Sequence, residues 1–151
     1  MTDINIKKIL EENICDLAEI FDEYQIFYKQ TPNQINNLQF LKDVIKNGAI
    51  FHVAYINQKA VGFTGVYFSY SSVSAKKIAI INDLFVLSDN RKYGIGKKIM
   101  KSTIAYLKNS GISHIRWCTQ QNNIKAQKFY QEFSDNRSQW LHYDLESLWI
   151  I

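Results

Sequence analysis

The sequence predicts one α/β domain spanning 1–151, built on a mixed sheet of about six to seven strands with helices on both faces. Two observations carry that expectation. Apolar residues switch along the chain between helical spacing, as in Leu10, Ile14, Leu17, Phe21, Tyr24 and Tyr28, and short strand-like runs, as in Ile78 to Leu87. The segments marked in this way run as a strand pair, then strand, helix, strand, helix, strand, an order that calls for parallel as well as antiparallel neighbours. A length of 151 residues, 46% hydrophobic and 21% charged, suits a single globular core, and no linker or internal repeat interrupts it.

Met1 to Ile6 reads as a short first strand. Ile9 to Lys29 has helical periodicity and is either one helix or two with a break. Pro32, the only proline, marks the following turn, with Thr31 as its cap and Asn33 to Lys46 as the next helix, stopped at Asn47-Gly48. Ala49 to Ile56 and Ala60 to Tyr70 flank the turn Asn57-Gln58-Lys59 at hairpin spacing, and Lys76-Lys77 reads as a second hairpin tip before the strand Ile78 to Leu87. A helix over Ile95 to Asn109 ends at Gly111. A strand over Ile112 to Thr119, a helix over Asn123 to Phe133 and a last strand over Ser138 to Leu145 complete the chain.

Between the strand ending at Leu87 and the helix beginning at Ile95 lies Arg91-Lys92-Tyr93-Gly94-Ile95-Gly96-Lys97-Lys98. Alternate glycines let the backbone approach a ligand, and the free N–H groups and dipole of a helix's first turn favour negative charge. Arg91, Lys97 and Lys98 add cations, although Lys98 also reads as solvated surface charge. This is the chemistry of a phosphate cradle. A P-loop is excluded because Gly96-Lys97-Lys98 lacks the hydroxyl that would hold magnesium. A dinucleotide fingerprint is a poor match: Ile99 stands where the third glycine belongs, and no acid lies at the ribose position.

Arg91-x-x-Gly94-x-Gly96, together with Asn82-Asp83-Leu84-Phe85-Val86-Leu87-Ser88 upstream and Asn123-x-x-Ala126-x-x-Phe129-Tyr130 downstream, resembles the GNAT superfamily of N-acetyltransferases. The three motifs occur in the family's order, and the likeness covers Val61 to Leu145. It implies the GNAT-like acyl-CoA N-acyltransferase fold, acetyl-CoA as co-substrate with no metal, and direct attack of an amine on the thioester without a covalent enzyme intermediate. The implied cofactor contacts are the backbone of Leu84, Phe85 and Val86, freed by a bulge in the central strand; Arg91 and the amides of Lys92, Tyr93, Gly94, Ile95, Gly96 and Lys97; and Asn123, Ala126 and Tyr130.

The chemistry needs a proton acceptor for an ammonium of pKa near ~10.4 and a proton donor for a departing thiolate. Tyr130 is the donor implied by the motif. An aromatic packed beside Phe129 and Phe133 is its plainer reading, and motif position favours catalysis. Asn123 caps the helix, contacts the cofactor, or does both. The stretch from Val61 through Arg91 looks like the diamine (spermidine/spermine-type) branch, which has a glutamate where this chain has Asn82. Asn82 takes no proton at neutral pH, so Asp83 remains as the carboxylate of that strand. Alternation sends it to the opposite face from Asn82. A water relay or an amine arriving neutral is the alternative.

The early helix offers Glu23 and Tyr28 as contacts for a cationic acceptor, with Asn82 as a third, whereas core packing is the better reading for Tyr24. A small-molecule primary amine of polyamine, diamine or amino-acid type is the expected substrate. A protein or peptide acetyltransferase acting on lysines or N-termini, and a non-catalytic acyl-CoA-binding module, are the rivals.

The net charge of +4 is too scattered for a nucleic-acid face. No apolar run approaches a membrane span and no leader is evident, so the expected setting is cytoplasmic, without membrane contact. Cys15 and Cys118 lack metal spacing and read as reduced, packed thiols. A homodimer is the expected assembly. The apolar end Leu148-Trp149-Ile150-Ile151 is open to two readings, an interface or a segment folded back on the sheet.

Overall fold

The structure is a computed structural model that describes residues 3–145. The chain forms two compact units, Met1–Trp117 and Cys118–Ile151.

The first unit holds a sheet of five strands in the order β1-β2-β3-β4-β5. These are β1 (Ile4–Lys8), β2 (Ile50–Ile56), β3 (Lys59–Ser71), β4 (Lys76–Val86) and β5 (Ile115–Arg116). The first four pair antiparallel in sequence and β5 joins β4 in parallel, which makes the sheet mixed, as expected. The count falls short of six to seven because Ser138 to Leu145 forms no strand, and the strand expected over Ile112 to Thr119 is shortened to the pairing residues Ile115 and Arg116. Lys76 and Lys77 belong to β4, opposite Ser71 and Tyr70, so the hairpin tip is 72–75. The β2–β3 turn has positive φ at Asn57 and Gln58 and closes on the pair Ile56–Lys59, the geometry that suits the twist of a tight hairpin.

Helices cover both faces. The region Ile9 to Lys29 resolves into a short 3-10 turn at Glu11–Asn13 followed by α1 (Ile14–Phe27). After Pro32 comes α2 (Gln34–Lys46), capped by Asn33, whose Oδ1 accepts from the Asn36 N–H at 3.0 Å; Pro32 separates Thr31 from the helix and removes it from that role. Buried Asn37 of α2 donates to Asp22 Oδ1 at 2.6 Å and Gln25 Oε1 at 2.8 Å, locking α2 onto α1. On this face Leu17, Ile20, Phe21 and Leu41 pack on Phe51, Val53, Phe63 and Phe85. On the opposite face Ile95 and Ile99 of α3 (Ile95–Asn109) pack on Ala54 and Val61.

The second unit contains α4 (Ile124–Gln131), shorter than the Asn123 to Phe133 expected from sequence. Beyond it Trp140, Leu141, Tyr143 and Leu145 are exposed. Leu148 to Ile151 lie outside the described residues. Cys15 and Cys118 are both exposed free thiols rather than packed ones, because Cys15 falls on the outward side of α1 and Cys118 lies beyond β5. No helix among the described residues is long and apolar enough to cross a membrane.

His52 of β2 is 3% exposed beneath α3, with Nδ1 3.1 Å from Thr103 Oγ1 and its ring edge-on to Tyr106 at 5.3 Å. Burial, and secondarily the positive charge of Lys8, push its pKa from 6.5 down to about 4. The unfolded chain therefore binds a proton through this window that the folded chain does not, so the stability is full above pH 6.5 and is lost as pH falls toward 4. Denaturant unfolding of wild type and His52→Gln at pH 7 and pH 4 should show wild type losing on the order of 3 kcal/mol more than the variant. Parallel pH dependence in the two proteins would mean that His52 is not the group responsible.

Candidate active site

The register of β3 with β4 slips at one point. Gly65 opposes Asp83 and Val66 opposes Ile81, so Asn82 has no partner and forms a β-bulge. The extra residue breaks strict alternation. The Asn82 Nδ2 reaches Asp83 Oδ1 at 3.1 Å, so the two side chains meet, where alternation had placed them on opposite faces. Thr64, fully buried, donates its hydroxyl to the Asp83 carbonyl at 2.6 Å and holds the bulge in place.

The carboxylate of Asp83 lies on the α1 face and is 7% exposed. The Tyr24 hydroxyl donates to its Oδ1 at 2.7 Å. The Tyr24 ring is in turn surrounded by aromatics, with centroids at 5.0 Å (Tyr28), 5.4 Å (Phe63) and 5.7 Å (Phe21 and Phe85). Burial raises the pKa of Asp83, while the hydrogen bonds from Tyr24 and Asn82 oppose the rise. The same burial and the adjacent carboxylate push the Tyr24 phenol well above its ordinary range, and they push Tyr67 up to about 12. Tyr24 and Tyr67 thus stay protonated at neutral pH.

The sequence offers Tyr24, with Tyr28 and Glu23, as a contact for a cationic substrate and favours core packing for it; its hydrogen bond to Asp83 is not foreseen. The usable signal was Gly65, an isolated glycine in a strand, which commonly marks a bulge or a close approach. A Cβ at this position would lie 2.6 Å from Asp83 Oδ2 and 2.8 Å from Phe51 Cε1.

Past Ile80, β4 makes no further pairs with β5 among the described residues. The edge carrying Leu84, Phe85 and Val86 therefore lacks a strand partner on that side. The chain then passes through a 3-10 turn at Ser88–Asn90 into α3. Lys92 (φ 74°) and Gly94 (φ 73°) are both left-handed, and Gly94 is the N-cap of α3, with no side-chain cap and no acid in the first turn. Ile95 is buried, while Gly94, Lys97 and Lys98 are exposed and Tyr93 is 70% exposed. Such a helix start suits an anionic diphosphate. Arg91 folds back: its Nε donates to the Val86 carbonyl at 2.9 Å, and its guanidinium lies 4.9 Å from the Phe27 ring and 5.9 Å from the Phe85 ring.

Glu23 lines an acidic recess of about 410 Å3 with Glu19, Asp22, Ile26, Pro32 and Gln34 and is not among the partners of Asp83. Tyr28 stands beside Tyr24 and is more than half exposed. In the second unit Asn123 caps α4 by accepting from the Ala126 N–H at 3.1 Å, and Tyr130 is partly buried with its ring 5.3 Å from Phe129. No group of three His, Cys, Asp or Glu side chains among the described residues is arranged to hold a metal.

The sequence profile of the acetyltransferase (GNAT) family matches residues 14–134. The chain belongs to this family. As a GNAT acetyltransferase it is an enzyme that transfers an acetyl group from acetyl-CoA to an amine. A relative of this GNAT enzyme from Bacillus subtilis (strain 168), the uncharacterized N-acetyltransferase YhfO, is 31% identical over 130 residues, covering 85% of this chain and 87% of the relative. Its fold is shared by the aminoglycoside acetyltransferase meta-AAC0020 from an uncultured soil metagenomic sample, in complex with sisomicin (TM-score 0.79, 19% identity, 96% of both chains). It is shared too by a ribosomal-protein-alanine N-acetyltransferase from Brucella melitensis biovar Abortus 2308 (TM-score 0.75, 17% identity, 96% of this chain and 100% of that one). At these identities the two structures speak to the fold of the GNAT enzyme alone.

An added Cβ at Gly94 would meet no atom within 4 Å, so Gly94→Ala leaves the apoprotein's packing untouched and pays only the left-handed strain of ~1 kcal/mol. Calorimetry should show CoA binding weakened roughly tenfold or more, with melting lowered by only about 2–4 °C. Unaltered affinity would remove Gly94 from the cofactor site.

Proposed function

We propose that this acetyltransferase acts on a small-molecule primary amine that is cationic in solution, and that Asp83 receives its ammonium group. The observation that carries this reading is the buried Asp83 carboxylate, held by the hydroxyl of Tyr24, whose own ring packs against Phe63 and Phe85. A buried carboxylate beside an aromatic cluster favours a compact cation through its charge. The resemblance of the Val61 to Arg91 stretch to the diamine branch points the same way, as does the aminoglycoside bound by one protein of the same fold.

In this reading the amides of Lys92 to Lys97 and the start of α3 hold the diphosphate, with Asn123 and Ala126 as further contacts, and the open edge at Leu84, Phe85 and Val86 receives the pantetheine arm. When bound, acetyl-CoA supplies the thioester acetyl group and the leaving thiolate. Asp83 draws the proton from the ammonium, directly or through one water, and its raised pKa narrows the gap to the amine. The neutral amine attacks the carbonyl, and backbone N–H groups of β4 stabilise the oxygen that gains charge. As the C–S bond breaks Tyr130 gives a proton to the sulfur, since a phenol of pKa about 10 is not ionised at neutral pH, and the second proton that the nitrogen sheds on becoming an amide restores the phenol through solvent. The role of Tyr130 rests on its place in Asn123-x-x-Ala126-x-x-Phe129-Tyr130.

A CoA-release assay over polyamines, amino acids, aminoglycosides and peptides tests the substrate class. Turnover with small cationic amines and none with peptides is expected; turnover confined to peptides or protein N-termini would overturn it. With the best amine, Tyr130→Phe should lower kcat about 10- to 100-fold while the Kd for acetyl-CoA changes less than about twofold. An unchanged kcat would take Tyr130 out of the mechanism.

A further inference from the structure

We infer that Tyr24 is a positioning residue for the reaction: by holding Asp83 Oδ1, it leaves Oδ2, above Gly65, as the atom that meets the acceptor's ammonium. The inference rests on the acceptor reading above and adds to it the residue and the oxygen atom involved.

The ring contacts of Tyr24 explain an aromatic at this position but not a hydroxyl, since phenylalanine would pack equally well against Phe21, Tyr28, Phe63 and Phe85. The hydroxyl is aimed at a carboxylate 59 residues away in sequence. Both donors that reach Asp83, Tyr24 and Asn82, go to Oδ1. Asp83 as a residue keeps 7% of its surface exposed. Its Oδ2 lies over the backbone of Gly65, where a side chain would collide with it. Glycine weakens a strand interior relative to alanine, and here its absent side chain makes the room Oδ2 occupies.

The direction of the hydrogen bond is fixed. The Tyr24 proton is held far more tightly than that of a free phenol, so Tyr24 donates at every working pH and cannot itself serve as the base. The ionisable and polar groups that interact with Asp83 among the described residues are Tyr24 from α1, Tyr67 from β3 and Asn82 from its own strand. Tyr24 and Asn82 are the hydrogen-bond donors that favour the charged carboxylate against burial. Removing the Tyr24 hydroxyl therefore raises the pKa of Asp83 further and frees the carboxylate to rotate.

The test is Tyr24→Phe, which keeps the ring. In carboxyl-carbon NMR titrations, which need no substrate, the Asp83 resonance should titrate about one unit higher in the variant than in wild type, the size expected for loss of a hydrogen bond to a charged group. With the best amine, the acid limb of kcat/KM should move up by about the same amount, and kcat at neutral pH should fall roughly tenfold. The KM for acetyl-CoA should stay within about twofold of wild type. Gly65→Ala is the companion variant: it keeps Tyr24 but crowds Oδ2, and should lower kcat without moving acetyl-CoA affinity. An Asp83 titration unchanged in Tyr24→Phe, or an unmoved acid limb at full kcat, would overturn the inference. If wild type turns over no amine, the acceptor reading fails on its own, and the NMR comparison still decides whether Tyr24 governs the carboxylate.

Discussion

The slip of one residue between β3 and β4 is the constraint on which the rest of this site depends. Had the strands paired without it, Asn82 and Asp83 would project from opposite faces, and the carboxylate would have a single local neighbour on its side of the sheet. With Asn82 in the bulge, Asp83 sits opposite Gly65 and gains two donors, one from its own strand and one from α1. The same strand loses its ladder with β5 after Ile80, so one edge is open near the point where its opposite face presents an acid. A bulge raises local twist and interrupts pairing, and both effects serve a site that must expose backbone amides to one ligand and a side chain to another.

Burying an ion is unfavourable unless its hydrogen-bonding capacity is met, and Asp83 shows how that balance is reached without a cationic neighbour among its hydrogen-bond partners. Tyr24 and Asn82 satisfy one oxygen. The aromatic rings around Tyr24 fix that donor in place, and Asn37 locks α2 against the helix that carries it. In the proposed reading the other oxygen is left for the acceptor, whose positive charge completes the stabilisation that the protein supplies only in part.

Much of this was legible in the sequence. The helix Ile95–Asn109 agrees with its expected bounds because Gly94 and Gly111 bracket a clear amphipathic run, and the αL conformation of Gly94 follows from a glycine at the strand-to-helix turn. The three family motifs were readable as local strings. Features set by distant partners were not. Ile112 to Thr119 has the composition of a full strand, yet it pairs with β4 only through Ile115 and Arg116, an extent set by the partner strand and not by its own residues. The bulge is a property of two strands together, so Asn82 taken alone pointed to strict alternation. The hydroxyl of Tyr24 is indistinguishable, in periodicity, from a core aromatic. Cys15 shows the limit in another way: an apolar context in sequence does not specify which side of α1 faces outward.

Arg91 ties the two halves of the first unit's site together. It is expected as a phosphate contact; in the structure its guanidinium rests on Phe27 at the end of α1 and its Nε donates to the Val86 carbonyl at the end of β4. Phe27 also contacts Phe85 and Tyr28, and both of these contact Tyr24. A continuous chain of packed rings therefore runs from the root of the glycine-rich turn to the donor that holds Asp83. Guanidinium stacking on a ring contributes about 0.5–1 kcal/mol at an exposed site, comparable to a single hydrogen bond. That is enough to bias the end of α1 toward one arrangement without freezing it. Since Arg91 lies within the turn that would hold the diphosphate, any ligand that repositions its side chain also alters the packing of Phe27, and through Tyr28 and Phe85 the surroundings of Tyr24. In the proposed reading the glycine-rich turn and the Asp83 carboxylate are thus linked through packed rings, with Arg91 at one end of the chain of contacts and Tyr24 at the other.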